Sequence, residues 1–583
     1  MEKHTPEELA PMRHTLSHLM AAAVLEVRPD AKPTLGPAID NGFYYDFDFP
    51  TPIVDTDLKE IQKRMKKMLS SWKEFTHEEV SKEQAWEQFA NNEYKQELIN
   101  EIVERGEKIT LYTCGGFTDL CRGGHVEHPS QDIAADGFKI SHLAGAYWRG
   151  DEKNKMLTRI YGLAFATKED LDAYETQIEE AKKRDHKKLG REMDIFVFSD
   201  LVGSGLPLWT PKGTMLRNLL DDYVWELRSA RGYERVEIPH ITKKDLYEKS
   251  GHWAKFQDEL FKITTREGHL FAMKPMNCPH HTQIFDRKQW SYREMPQRYA
   301  NTTACYRDEQ SGELSGLSRV RSFSQDDAHV FCRMEQVKDE FLKVWDIVHE
   351  FYGTFGFQLV VRLSTHDPAH PDKYLGDEAR WAVAEGMLAE IIKEKGVTAI
   401  DGLGEAAFYG PKLDFMAQDS LGREWQVATI QLDMNMPESF DLSCINEKGE
   451  KERVVMIHAA IMGSIERFMS IMIEHTAGLF PVWLSPTQVT VIPVLEKHNA
   501  KAREIANALK TEKVRVLCDD SDEMLGKKIR AWKVEKTPYA IVLGDKEIES
   551  GELTLEKRSG EKETISLEAL IAKLKTEIST RAL

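Results

Sequence analysis

The sequence predicts a multidomain α+β protein: an N-terminal α+β domain, a central domain built on an antiparallel sheet, and a small C-terminal α/β domain. Three observations carry this expectation. At 583 residues the chain exceeds what one hydrophobic core organises. The stretch "KEDLDAYETQIEEAKKRDHKKLG", starting at 168, interleaves charges with sparse apolar residues and has no Gly or Pro before Gly190, which suits an exposed connecting helix. After "PVWLSP" the pattern resets to short apolar runs separated by helix-like stretches. The implied domains are 1–166, a linker at 167–192, 193–483 and 484–583.

In chain order, the first domain opens with a helix over 12–27, continues through a Pro/Gly-broken aromatic stretch at 33–50, and has a charged helix at 55–72. The central region holds a long helix at 212–230, strands such as "RVEIP", and apolar runs between charged turns, the pattern of an antiparallel sheet with flanking helices. In the last domain "QVTVIPV", "VRVLC", "YAIVLG" and "ELTLEK" read as strands, with helices near 497–510 and 522–535.

Composition is that of an ordinary globular chain, 41% apolar and 30% charged. No apolar run reaches the length of about 18 residues that a membrane helix needs, and "MEKHTPEELA" lacks a signal-peptide core, so a cytoplasmic protein with no membrane partner is expected. Seven scattered cysteines make no disulfide framework, so a cysteine with a role is a ligand or a reactive group. The net charge of −18 argues against indiscriminate binding of polyanions. Residues 484–583, with 18 Lys+Arg against 17 Asp+Glu, are near neutral and would permit a nucleic-acid contact.

Two sets of side chains stand out. Cys278, His329 and His458 are separated by 51 and 129 residues, so their spacing alone makes no zinc motif, and each taken singly is more often a core residue. His14 and His18 share a helix face, and "DLCRGGH" places Cys121 and His125 four apart again. Two such pairs could form a tetrahedral zinc site, a metal-free polar site, or plain structure.

"GYERVEIPHI", "CYRDEQSGELSGLSRVRSFSQDDAH" and "GSIERF" resemble the three signature motifs of class II aminoacyl-tRNA synthetases. With "MKPMNCP", "FYGPKLDF", "EWQVATIQLD" and "MIHAAIMGSIERF", the chain resembles the bacterial threonyl-tRNA synthetases over almost its whole length. The resemblance implies a class II antiparallel core, an N-terminal editing domain, a C-terminal anticodon-binding domain and a homodimer. It also implies that the ubiquitin-like domain carried by many bacterial members is missing ahead of residue 1. The activity it implies is ATP-dependent attachment of L-threonine to tRNA(Thr), with hydrolysis of seryl-tRNA(Thr).

By the same resemblance, Cys278, His329 and His458 hold one Zn²⁺, and Met276, Gln325, Asp327 and Tyr409 surround threonine, with Asp327 on its ammonium. Arg307 and Arg467 meet the α- and γ-phosphates of Mg²⁺-ATP, Glu309 and Arg319 the nucleotide, and Phe323 the adenine; Lys412, Gln426 and Thr429 position the reacting groups. His252 in "SGHW" serves the transfer to tRNA. In the editing domain, "RHTLSH", "DNGFYYDFD" and "CRGGH" imply a metal-free hydrolytic site of His14, His18, Tyr45, Lys95, Asp119, Cys121 and His125. Glu547 falls on an anticodon-contact position. The sequence departs from the family pattern at Ala459 (usually Arg), Ala428 (commonly Gly), Glu556 (commonly Arg) and Gly124 (commonly Pro). The first two are expected to touch rate rather than reaction, and Gly124 to loosen the loop that aims His125.

Overall fold

The computed structural model describes residues 5–583 and divides into two compact units, one running through Glu179 and one from Glu180 to Leu583. No helix among the described residues is long and apolar enough to cross a membrane.

In the first unit the opening helix spans Pro6–Val27, starting six residues before the expected position. The cause is local: Thr5 and Glu8 form a reciprocal capping box, with Pro6 in the first turn. Its apolar face packs on an antiparallel sheet in which Gly42–Asp48 pairs with Met156–Ala164, and that strand with Phe138–Tyr147. The aromatic stretch is this first strand, burying Phe43, Tyr45 and Phe47. A second antiparallel sheet joins Thr76–Val80, Ile109–Cys114 and Phe117–Leu120.

The connecting segment is two helices, Lys168–Arg184 and His186–Glu192, broken where Asp185 caps the second. The first is largely exposed, as expected. The second is not: His186, Leu189 and Gly190 are buried, so the expectation of one exposed helix fails at its C-terminal end.

The second unit is built on eight strands, in the order Glu234–Arg235, Gln297–Tyr306, Ser322–Cys332, Val455–Ala460, Glu424–Asp433, Lys412–Gln418, Leu359–Thr365 and Ala399–Leu403. The six inner strands are antiparallel, and both edge strands run parallel to their neighbours. Of "RVEIP" only Arg235 lies in a strand, the two-residue edge strand Glu234–Arg235. Helices Pro211–Ser229 and Val337–Thr354 pack on the sheet in the largest core. Beyond it, Val516–Cys518, Val489–Pro493 and Tyr539–Leu543 form a parallel sheet extended by the antiparallel strands Leu553–Lys557 and Lys562–Ile565. The expected α/β alternation is present, with helices at Asn499–Thr511 and Leu525–Val534.

Candidate functional site

The strand Ser322–Cys332 runs through the main candidate site. Successive side chains of a strand point to opposite faces, so Phe323, Gln325, Asp327 and His329 all line one cavity of about 550 Å³. On the opposite face Asp326 is fully buried, paired with Arg228 at 2.8 Å and accepting the N–H groups of Ile461 and Met462 at 2.8 and 2.9 Å. A buried carboxylate stripped of such partners costs about 3–5 kcal/mol. Asp326 thereby fixes the strand against the turn that follows Val455–Ala460.

At one end of the cavity Cys278, which opens the helix Cys278–Phe285, meets His329 and His458, which face each other on adjacent strands. Their ligand atoms lie within 4.8 Å of one another, and His329 Nε2 is 3.1 Å from His458 Nδ1. The other nitrogen of each ring is held from behind. His458 Nε2 stands 3.0 Å from Asp433 Oδ2, and His329 Nδ1 stands 2.7 Å from His281 Nδ1. Burial drives His329 far below the usual imidazole range, which keeps it in the neutral, ligating form, and raises the Cys278 thiol. One thiol and two imidazoles converging from three elements are a donor set for a soft or borderline cation.

Beside this cluster Asp327 accepts from Asn277 Nδ2 at 3.0 Å, and buried Lys274 donates to Asn277 Oδ1 at 3.0 Å. Tyr409 stacks on His458 at 4.8 Å between ring centres and donates to Gln431, while Met276 lines the same wall. At the other end the Arg307 guanidinium lies 5.3 Å from the Phe323 ring, and its Nε is buried without a partner among the described residues. Arg319 pairs with Glu309 at 2.7 Å. Arg467 sits in the first turn of Ile465–Thr476, capped by Ser464. Gln426 and Thr429 both donate to Asp414 Oδ1, at 2.7 and 2.8 Å, while Ser364, Arg362 and Lys412 crowd its Oδ2.

The structure brings fourteen of the sequence-proposed residues to this cavity wall, but not Lys412 or His252. Lys412 is spent on buried Asp414. His252 is fully buried behind Cys278, its Nε2 3.7 Å from the sulfur, and burial lowers it to about 3. Ala428 and Ala459 are small buried residues of the wall, and Arg228 donates to the Ala459 carbonyl at 3.1 Å. In the C-terminal domain both Glu547 oxygens are engaged locally, with the Gly544 N–H at 2.9 Å and the Thr554 hydroxyl at 2.8 Å, so its carboxylate caps a helix. Glu556 is buried and pairs with Lys562 at 3.1 Å. Sequence reasoning missed Asp433, Asp414, Asn277 and His281, although each stands inside or beside a motif already singled out.

The first unit holds a second cluster. His14 Nε2 lies 3.2 Å from His18 Nε2 and 3.6 Å from Cys121 Sγ, and Cys121 Sγ lies 3.3 Å from His125 Nε2. Behind them Tyr45 donates to Asp119 at 2.5 Å, buried Lys95 pairs with Asp119 and reaches the Tyr45 hydroxyl at 3.1 Å, and His18 Nδ1 is 3.6 Å from Asp119. All seven sequence-proposed residues therefore meet. Phe75, which sequence reasoning missed, stacks on His125 at 4.0 Å. Burial lowers His14 and His18, pushes His125 down to about 2, and raises Cys121 to about 11, so rings and thiol are all held neutral. Gly124 has φ of +84°, which proline, fixed near −65°, cannot reach.

Residues 261–476 match the family model described as the class II tRNA synthetase core domain (G, H, P, S and T), and 488–577 match an anticodon binding domain. Residues 109–161 match the threonyl and alanyl tRNA synthetase second additional domain. A threonine–tRNA ligase of Deinococcus radiodurans is 47% identical over 568 residues, covering 96% of this chain and 87% of that protein. One from Flavobacterium psychrophilum is 45% identical, covering 97% and 88%. The crystal structure titled as the RNA binding domain of threonyl-tRNA synthetase from Cryptosporidium parvum Iowa II superposes with a TM-score of 0.64 at 36% identity, covering 67% of this chain and 98% of that one. A cavity with a Cys/His/His cluster at one end and arginines at the other, a second His/Cys cluster in a separate unit, and relatives this similar over nearly the whole length lead to one conclusion: the chain belongs to the threonine–tRNA ligase family.

Proposed function

We propose that this chain joins L-threonine to tRNA(Thr) in two steps and removes serine attached in error. Threonine attacks the α-phosphate of ATP, giving threonyl-adenylate and pyrophosphate; the threonyl group then passes to the terminal adenosine of the tRNA. The observation that carries this reading is the polarity of one cavity, with Cys278, His329 and His458 at one end and Arg307, Arg319 and Arg467 at the other.

Asp327 takes the ammonium of threonine, held at the right angle by Asn277, while Gln325, Tyr409 and Met276 enclose the side chain. Phe323 stacks on adenine, and Glu309 with Arg319 holds the nucleotide. Arg307 and Arg467 take the α- and γ-phosphates of Mg²⁺-ATP, where fixed guanidinium forks stabilise charge as it develops. Gln426 and Thr429 act from their anchor on Asp414, and Lys412 acts through the same carboxylate. Cys278, His329 and His458 would hold a Zn²⁺, which when bound would supply a Lewis acid for the polar groups of threonine. A site that asks for a hydroxyl rejects valine by about 10⁴-fold or more, but serine, lacking only a methyl, by about 10–200-fold.

That gap is the reason for the second cluster. His14, His18 and His125, held neutral, position and polarise the water and the ester end of seryl-tRNA, with Cys121, Tyr45, Lys95 and Asp119 completing the pocket; no metal enters this reaction. His252 serves the transfer step, the C-terminal domain takes the anticodon, and the chain pairs as a homodimer through the first class II motif, "GYERVEIPHI". The test is threonine-dependent exchange of pyrophosphate into ATP, together with release of serine from seryl-tRNA(Thr). No exchange with threonine, ATP and zinc present refutes the first half, and no deacylation refutes the second.

A further inference from the structure

A third group of ligand-type side chains among the described residues, Asp185, His186 and Glu474, lies apart from both sites. Its donor atoms are already committed, which argues against a metal. His186 Nδ1 lies 2.6 Å from Glu474 Oε1, which also accepts the His186 backbone N–H at 3.1 Å. Glu474 Oε2 accepts from Arg423 at 2.5 Å, and Asp185 Oδ1 caps the helix by accepting from Lys187 N at 2.7 Å. The remaining ring nitrogen, His186 Nε2, accepts the N–H of Leu317 at 3.0 Å. These partners define one tautomer, with hydrogen on Nδ1 toward the carboxylate and a lone pair on Nε2 toward the amide.

Leu317 is fully buried in the loop that carries Glu309 and Arg319. The ring meets that loop without slack. Gly316 has φ of +52°, and a Cβ placed on it would fall 2.2 Å from His186 Nε2. Next along the loop, Ser318 Oγ lies 2.9 Å from Ser470 Oγ, on the helix that carries both Arg467 and Glu474. The ring therefore ties the loop bearing Arg319 to the helix bearing Arg467.

We propose that His186 is a positioning residue for the nucleotide: its ring fixes the Gly316–Leu317 turn and thereby sets Arg319 and Glu309 relative to Arg467. This rests on reading those arginines as nucleotide contacts. The experiment uses the full chain in pyrophosphate exchange, varying ATP and threonine separately, with seryl-tRNA deacylation as the measure of the first unit. His186→Ala is expected to raise the KM for ATP about tenfold or more, since small misplacements of binding groups are costly. The KM for threonine and the deacylation rate should stay within about twofold. His186→Gln, whose amide can donate to Glu474 and accept from Leu317, should recover most of the loss. Gly316→Ala, which crowds the same ring from the loop side, should reproduce the ATP-specific defect and decides the matter if His186→Ala does not fold. Unchanged ATP dependence in the folded variants, or equal rises in both KM values, overturns the proposal. Arg467→Ala, run alongside, separates the two claims: if it too leaves the KM for ATP unchanged, the nucleotide reading itself is wrong.

Discussion

Asp433 Oδ2 stands 3.0 Å from His458 Nε2, which turns the Nδ1 of that ring toward Cys278 and His329. The same carboxylate accepts the N–H groups of Asn435 and Met436 through Oδ1, at 2.8 and 2.9 Å. Asp433→Asn can keep the Oδ1 contacts while presenting an amide where an acceptor is needed. Groups that orient a ligating histidine are worth about 10–100-fold in metal affinity. The variant should release zinc to a chelator correspondingly faster, as a chromogenic metal indicator would register.

Metal content should divide the two clusters. The intact protein should carry one zinc per chain, Cys278→Ala none, and the variant should still deacylate seryl-tRNA(Thr). Elemental analysis paired with the deacylation assay checks this; zinc retained by Cys278→Ala and lost on His14→Ala would place the metal in the wrong unit for the reading above.

Gly124 offers a test of the editing loop. At φ of +84° an alanine costs about 1–2 kcal/mol, and a proline cannot fit without moving the chain. Gly124→Pro should cut seryl-tRNA deacylation at least about tenfold while leaving threonine-dependent exchange within about twofold. Deacylation at the native rate would show that the loop does not aim His125.

Acid should weaken the first unit. His14, His18 and His125 sit below the ordinary value of 6.5 because burial disfavours their charged forms. Between that value and their lowered folded values the unfolded chain binds more protons, so stability falls as pH drops through about 6.5 and is constant above it. Each ring contributes a slope of about 1.4 kcal/mol per pH unit. Hydrogen exchange along Pro6–Val27 at pH 7, 6 and 5 should show protection falling steadily below 6.5; flat protection would mean the rings take up protons as readily in the folded chain as in the unfolded one.

The long helices and the C-terminal alternation were legible because their signals are local: the Gly/Pro-free run after 168 and the strand–helix alternation after 486, whereas the capping box at Thr5, equally local, was passed over and the first helix placed too late. The site residues were legible through motif resemblance, since Cys278, His329 and His458 share no local spacing and meet only when three elements converge. What stayed hidden was set by partners far along the chain. Burial of His186 depends on Glu474 and Leu317, 288 and 131 residues away. The parallel edge strands depend on crossovers that periodicity does not encode. Glu547, legible as a motif position, is claimed by its own helix, and His252 lies behind the sulfur because the turn at Gly251 packs it there.

The strand Ser322–Cys332 also acts as a ruler. From Phe323 to His329 it advances six residues, about 20 Å at the usual strand rise, and every second side chain in that interval faces the cavity. On the proposed reading, adenine wall, ammonium acceptor and metal ligand are graduations on one rigid scale. Removing or adding a single residue between Phe323 and His329 would turn part of the scale over, exchanging Asp327 for Asp326 at the cavity wall or burying His329 on the far face. The reach of the site along its substrate is therefore written in residue count, and its tolerance for a length change there is zero.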